Sequence, residues 1–410
     1  MAGLVSGRPT APTVPKAALA ALMASVFIAM MGVGFVVPFL PVLATELGAS
    51  ATMLGVLTAA FSLSMGGLQP LAGSLSDRHG RKRFLLAGLA IFSVCGFGYT
   101  LASSVLDITV VRFIQGLGAG MVFPVAMAYM GDLAPPEQEG RYMGIFNVSL
   151  LAGIGSGPLI GGVMKDAFGI DAAFYAMGLV STAALVVAVV ALPESRPTTR
   201  GAEREAPLTT VFRAIFADRR MRGVLLVRLS IMLAMMPSFV FLPVLMTSVM
   251  GASGTMIGVV ITVRTLLSAA LQYPFGLLAD RYSRPLLTFV SVMAMAAAAA
   301  WFGFSTLFWH VLVIFAAMAV FEAMFMPTTS AMALEGGRAF GMGSTMGVFN
   351  TAMNVGMFIG AILAGYLVDQ FDFKVAFLIL GAAVAVGGVA SWPMMRAESA
   401  HASPSAAAGV

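Results

Sequence analysis

Apolar residues fill this chain in long unbroken runs of about twenty or more, parted by short polar turns. The runs do not alternate as a half-buried strand would. Each is long enough to cross a hydrocarbon layer about 30 Å thick. The pattern predicts an all-α membrane protein with twelve spans, over roughly 17–44, 52–73, 84–103, 106–130, 142–164, 172–193, 222–249, 255–277, 285–304, 307–333, 342–366 and 373–394. Helices are required because lipid offers backbone groups no partner outside their own segment. The first run follows Lys16 and is too long for a signal-peptide core, so it is read as a span. The longest polar stretch, Glu194 to Arg222, reads as a linker carrying a surface helix near Thr209–Asp218. The implied organisation is a tail (1–16), a six-helix bundle (17–193), a linker (194–221), a second bundle (222–394) and a tail (395–410), with the tail ends predicted to be disordered.

Composition sharpens this picture. Of 410 residues, 59% are hydrophobic and 10% charged, against about 25% charged in soluble domains. The partner is therefore a lipid bilayer. The net charge of +5 is no nucleic-acid signature, because the basic residues lie in loops between spans. With the N-terminus inside, inner loops and tails hold eighteen Lys and Arg and outer loops two, Lys165 and Lys374. That bias predicts cytoplasmic termini. Three arginines, Arg112, Arg228 and Arg264, fall within spans. Cys95 stands alone, and His79, His310 and His401 are scattered, so no disulfide, metal cluster or nucleophile–base pair is expected. No phosphate-binding loop is present, and ATP is not implied. The chain is not expected to be an enzyme.

A second pattern lies over the first. Gly73-Ser-Leu-Ser-Asp77-Arg78-His-Gly80-Arg81-Lys82 and Gly276-Leu-Leu-Ala-Asp280-Arg281-Tyr-Ser-Arg284 stand 203 residues apart. The same offset aligns Leu68-Gln69 with Leu271-Gln272, Pro124 with Pro327, and Met143-Gly144-Ile-Phe146-Asn147 with Met346-Gly347-Val-Phe349-Asn350. The period is far too long for a solenoid unit and predicts two related halves. Such doubling favours a carrier with a midplane site over a channel.

On these residues the chain resembles the major facilitator superfamily, and within it the twelve-span drug:proton antiporters. The loop after span 2 matches that superfamily's motif A at Gly73, Leu75, Asp77, Arg78, Gly80, Arg81 and Lys82. Span 4 matches motif B at Arg112, Gln115, Gly116 and Gly118. Span 5 matches the antiporter motif C at Gly144, Gly153, Gly157, Pro158, Gly161 and Gly162, and Leu192-Pro193-Glu194 also fits. The resemblance implies two pseudo-symmetric bundles in the cytoplasmic (inner) membrane. It implies a monomer that exports small amphipathic molecules in exchange for protons, with no cofactor beyond the proton gradient. It implies that Asp77 leans on the start of span 11, Gly341-Met-Gly343-Ser344, that Asp132 shares Arg81, and that this cluster latches the halves on the cytoplasmic side. It further implies that Arg112 serves proton coupling and that motif C bends span 5 and closes the cavity base. The alternative is a proton-coupled or facilitative carrier of a sugar, organic anion, amino acid or lipid-like substrate.

The residues themselves leave choices open. Gly73 and Gly80 allow a close approach and a tight turn, in which Asp77 can pair with Arg81. The second island keeps Asp280 and Arg281 but has Ser283 for Gly80, so it is expected to latch less well. Arg112 either faces a bundle interior or cavity or snorkels outward, aided by Asp107. Gln115, one turn on, would bond Arg112 or a substrate. Motif C reads equally as plain tight packing, with Pro158 removing one helical hydrogen bond. Glu322, the acid within a span, either titrates or pairs with Arg264. If Arg112 looks into a central cavity, Glu322 looks into it from the opposite half. Arg228, two turns from the linker, reads as interfacial. Gln115, Asn147, Arg264, Asn350 and Asn354 are the polar candidates for a cavity walled by Phe and Met. Three arginines against one glutamate favour a neutral or anionic substrate.

Overall fold

The computed structural model describes residues 16–134, 138–194, 208–340 and 342–397. The tail ends, linker residues 195–207 and Gly341 lie outside the described residues, as do the side chains of Arg141, Arg338 and Ser344. The expected contact of Asp77 with the start of span 11 falls there.

Fourteen helices form among the described residues: α1 (Lys16–Val36), α2 (Leu40–Glu46), α3 (Ala51–His79), α4 (Arg81–Thr100), α5 (Val105–Leu133), α6 (Glu139–Phe168), α7 (Ile170–Ala191), α8 (Leu208–Ala217), α9 (Arg219–Met250), α10 (Gly254–Arg281), α11 (Arg284–Phe302), α12 (Phe308–Phe340), α13 (Met342–Gln370) and α14 (Phe373–Met395). Twelve segments are long and apolar enough to cross a membrane. The first of them is broken: α1 stops just before Pro38, which has no N–H to bond back into the helix, and the chain resumes as α2. The short α8 sits at the expected surface-helix position.

Local chemistry sets the helix ends. Ser50 and Ser253, 203 residues apart, cap α3 and α10 by accepting from Met53 N and Met256 N. Asp107 closes a capping box with Ser104. Its carboxylate accepts from the amides of Ser103 and Ser104 at 3.1 and 2.9 Å, which accounts for it without Arg112. Gly80 alone joins α3 to α4, at φ +100°, where a side chain is strained.

Packing follows the repeat. In the first bundle α1 meets α6 and α7, α3 meets α5, and α4 meets α5 and α7. In the second, α9 meets α13 and α14, α10 meets α12, and α11 meets α12 and α14. Each contact maps onto its counterpart by the 203-residue offset. Two seams join the bundles, α3 on α13 and α6 on α10.

Both seams are tightest at the end away from the Arg-rich loops. A methyl group at Gly55 would overlap the Ala361 carbonyl, and one at Gly258 the Pro158 carbonyl. One at Gly162 would overlap the Gly254 carbonyl, and one at Gly365 the Ala51 carbonyl. Gly55 with Gly258, and Gly162 with Gly365, are repeat pairs. Toward the basic end, Gly73, Gly144, Gly276 and Gly347 all face open space. The expected close approach at Gly73 is therefore absent, and Gly144 packs against nothing.

Candidate functional site

At the basic end each bundle builds one ionic cluster. Asp77 lies in the last turn of α3, not in a loop, and pairs with Arg81. Arg81 also donates to Asp132 Oδ2 at 3.0 Å and to Ser76 Oγ at 3.0 Å. The second bundle repeats this arrangement. Arg284 pairs with Asp280 at 3.2 Å and with Glu335, and Arg220 adds a further bond to Glu335 at 2.7 Å. Glu335 stands 203 residues after Asp132, and Arg284 the same distance after Arg81. The second cluster thus has the same kind of carboxylate partner as the first and gains an extra arginine. Arg78 and Arg281 point outward, exposed, and take no part in these ion pairs. Glu194 explains Gly80. Its carboxylate accepts from Lys82 N at 3.2 Å, and a methyl at Gly80 would strike it. Lys82 Nζ reaches the Val189 carbonyl at 2.8 Å.

Every ion pair among the described residues stays within one bundle. The carboxylates that cross lie at the opposite end. Asp369, at the end of α13, accepts from the amides of Ala51 and Thr52 at 2.8 and 2.7 Å. Asp166, at the end of α6, accepts from the amides of Gly254 and Thr255 at 2.7 Å each, and from Thr255 Oγ1 at 2.6 Å. All three residues of one contact are offset by 203 from those of the other. Each carboxylate thus satisfies orphan N–H groups, at the positive end of a helix belonging to the other bundle. Read alone, both look like ordinary helix-end acids; the 203-residue offset was the signal that could have paired them.

Inside the first bundle, Arg112 is 4% exposed. It donates to Gln115 Oε1 at 2.7 Å and stacks 4.2 Å from the Phe61 ring centre. Tyr99 also donates to Gln115 Oε1 at 2.7 Å, and Gln115 Nε2 approaches Met177 Sδ. Gln115 is fully buried between α4, α5 and α7, so it is not a cavity residue in this conformation. Arg112 therefore does not snorkel outward.

Inside the second bundle, Arg264 and Glu322 form an ion pair at 2.9 Å, with side chains 3% and 13% exposed. Arg264 stacks 3.9 Å from the Phe239 ring centre and 5.8 Å from Phe315. Phe61 and Arg264 are repeat partners, and so are Arg112 and Phe315. Both bundles therefore stack an arginine on a phenylalanine between the same two helices, with the residues exchanged. Arg228 is also buried, not interfacial as expected.

This architecture of twofold-related bundles matches known proteins. A profile of the Major Facilitator Superfamily matches residues 22–248 and 224–409. The chain belongs to the Major Facilitator Superfamily. It is a multi-pass membrane transporter of that superfamily. An uncharacterized MFS-type transporter of Methanocaldococcus jannaschii is 29% identical over 84% of this chain and 89% of its own length. The quinolone resistance protein NorA of Staphylococcus aureus is 32% identical, but over 45% of this chain and 47% of its own length. Among solved structures, a nucleoside transporter, NupG, superposes with a TM-score of 0.78 at 12% identity, covering 92% of this chain and 100% of its own. A bacterial homolog of the human lysosomal transporter Spinster, in an inward-facing and unoccupied conformation, gives 0.74 at 14% identity, covering 94% and 95%. At these identities the two structures share the fold.

The asparagine candidates of this superfamily member lie on α6 and α13, each of which takes part in one seam. Asn147 and Asn350 are exposed on α6 and α13. Asn354 lines a cavity of about 230 Å³ at the α3–α13 seam, with Ser62, Gly66, Thr351 and Phe358. Motif C divides its labour: Gly153, Gly157 and Gly161 pack on α1, whereas Gly162 packs on α10. The helix runs unbroken through Pro158. Among the described residues no group of His, Cys, Asp and Glu could hold a metal ion.

Proposed function

We propose that this transporter exports small amphipathic molecules, neutral or anionic, by proton antiport with alternating access. It acts as a monomer in the cytoplasmic membrane, with the Arg-rich end inside. The observation that carries the coupling is the buried Arg264–Glu322 pair, 2.9 Å apart within the second bundle. Protonating Glu322 would free Arg264, and an ion pair broken in a dry interior changes the local energy sharply. The exchanged arginine–phenylalanine stack supports this reading: the first bundle pairs its arginine with neutral Gln115, the second with a titratable acid. The NorA relationship supports drug export as the direction and class. One charge moved through 100 mV supplies about 2.3 kcal/mol, enough for a roughly fifty-fold substrate gradient.

The test is transport of a dye and metabolite panel by proteoliposomes, with and without a proton-collapsing ionophore. Uphill transport should vanish with the ionophore and in Glu322→Gln, while downhill exchange persists in that variant. Undiminished uphill transport in the collapsed gradient would overturn antiport. Gradient-driven export of a lipophilic dication, lost in Glu322→Gln, would overturn the substrate charge.

A further inference from the structure

Arg228 lies nine residues into α9, about 14 Å along the helix axis from its start. That is too deep for its head to reach the basic face. The residue is 5% exposed, and no carboxylate among the described residues pairs with it. Its Nη1 and Nη2 point at the thioethers of Met326 and Met353, at 2.9 and 3.3 Å. Thioether sulfur is a weak acceptor. Nε has no partner. The guanidinium also lies 4.5 Å from the Phe349 ring centre and 5.9 Å from Phe325.

The charge balance of this region is uneven. Glu322 acts electrostatically on both Arg228 and Arg264, but its carboxylate bonds Arg264. Two guanidinium groups therefore share one carboxylate, in a setting where an unpaired charge is costly. Arg112 differs, because it has the oxygen of Gln115. Nor does the fold need a cation here. The repeat partner of Arg228 is Ser25, buried and donating to the Ala184 carbonyl. A buried cation that costs stability and meets only soft, displaceable partners is poised for an oxygen anion.

We infer that Arg228 is the recognition site for the anionic group of an amphipathic organic anion, a carboxylate, sulfonate or phosphate attached to an aromatic or aliphatic body. The two methionines are only part-buried. They form a displaceable cover, and with Phe325 and Phe349 they make an adaptable apolar wall for the rest of the molecule. A planar guanidinium offers paired donors that match such oxyanions. This rests on the transport reading and deepens it by naming the substrate's charged group.

The experiment reads binding, so it stands apart from proton coupling. The purified full-length chain is melted in neutral detergent with 2-naphthoate, naphthalene-2-sulfonate or naphthyl phosphate. Neutral 2-naphthamide at matched ionic strength is the control, and phosphatidylglycerol in the micelle forms a separate arm. At least one naphthyl anion should raise Tm beyond the amide. In Arg228→Met that response should weaken at least tenfold in concentration, equal to about 1.4 kcal/mol, while the ligand-free Tm holds or rises. Arg228→Lys, which keeps charge but not the planar fork, should retain a reduced response. The proposal is overturned by any of three results: no anion acts beyond the amide, the response survives in Arg228→Met, or only phosphatidylglycerol acts. A ligand-free Tm that falls in Arg228→Met would make the arginine structural and also overturn it. The transport reading fails separately, if uphill flux ignores the proton gradient.

Discussion

At the basic end, Arg81 gathers Asp77 and Asp132 within the first bundle, and Arg284 gathers Asp280 and Glu335 within the second. At the opposite end, Asp166 and Asp369 leave their own bundles and cap helices of the other. The same chemistry, a carboxylate on N–H donors, thus does two jobs. Within a bundle it fixes helix against helix. Between bundles it ties one bundle to a helix start of the other, a contact that needs the seam closed. The crossing pair is therefore the set of carboxylate contacts that would be lost if these seams parted.

The sharpest way to break that contrast is to remove both crossing carboxylates. Asp166→Ala with Asp369→Ala deletes two caps, each worth about 0.5–2 kcal/mol. The population should move toward the state open at that end by tenfold or more. Spin labels replacing Glu46 and Ser248, on α2 and α9, should report longer distances; an unchanged distribution would show that the caps carry no bias. Next in size is Arg81→Met, matched with Arg284→Met. Arg81→Met leaves Asp77 and Asp132 without their partner, at about 1–3 kcal/mol per unsatisfied group, discounted for the exposure of Asp77. In Arg284→Met the exposed Asp280 loses its partner, whereas Glu335 keeps Arg220. Both should lower Tm, Arg81→Met the more for that reason, yet leave the label distances unmoved. If Arg81→Met shifted the distances as far as the double alanine, the division of labour would be wrong. The smallest effect separates the two islands. Gly80→Ala forces a side chain into φ +100° against Glu194 and should cost about 1–2 kcal/mol. Ser283→Gly, at an ordinary φ of −59°, should change Tm by a degree or two at most.

Much of this was legible in the chain because its signals are long. A run of twenty apolar residues survives errors of several positions, so all twelve spans fall where hydropathy puts them. The break at Pro38 did not stand out, since Pro158 and Pro327 lie inside helices that continue through them. The Arg81–Asp132 contact could be anticipated only through resemblance, yet its twin Arg284–Glu335 needed nothing but the repeat offset applied to an acid near a span end. Which way a side chain turns was harder. Gln115 and Arg112 sit on one helical face, and only the packing of α4 and α7 decides that this face is the bundle interior. Arg228 looked shallow because distance from a loop was counted in residues, whereas burial depends on Met326, Met353 and Phe349 arriving from other helices.

The crossing caps also bear on the order in which the chain can finish folding. Two amides of the first turn of α3 find their acceptor at Asp369, with Thr52 waiting on a residue 317 positions later. α10 looks back to Asp166, made 88 residues before Gly254. A ribosome therefore delivers α10 to a waiting acceptor, but leaves the start of α3 partly unsatisfied until nearly the whole chain has emerged. The start of α3, although synthesised early, gains its last acceptor only once α13 of the second bundle has been made.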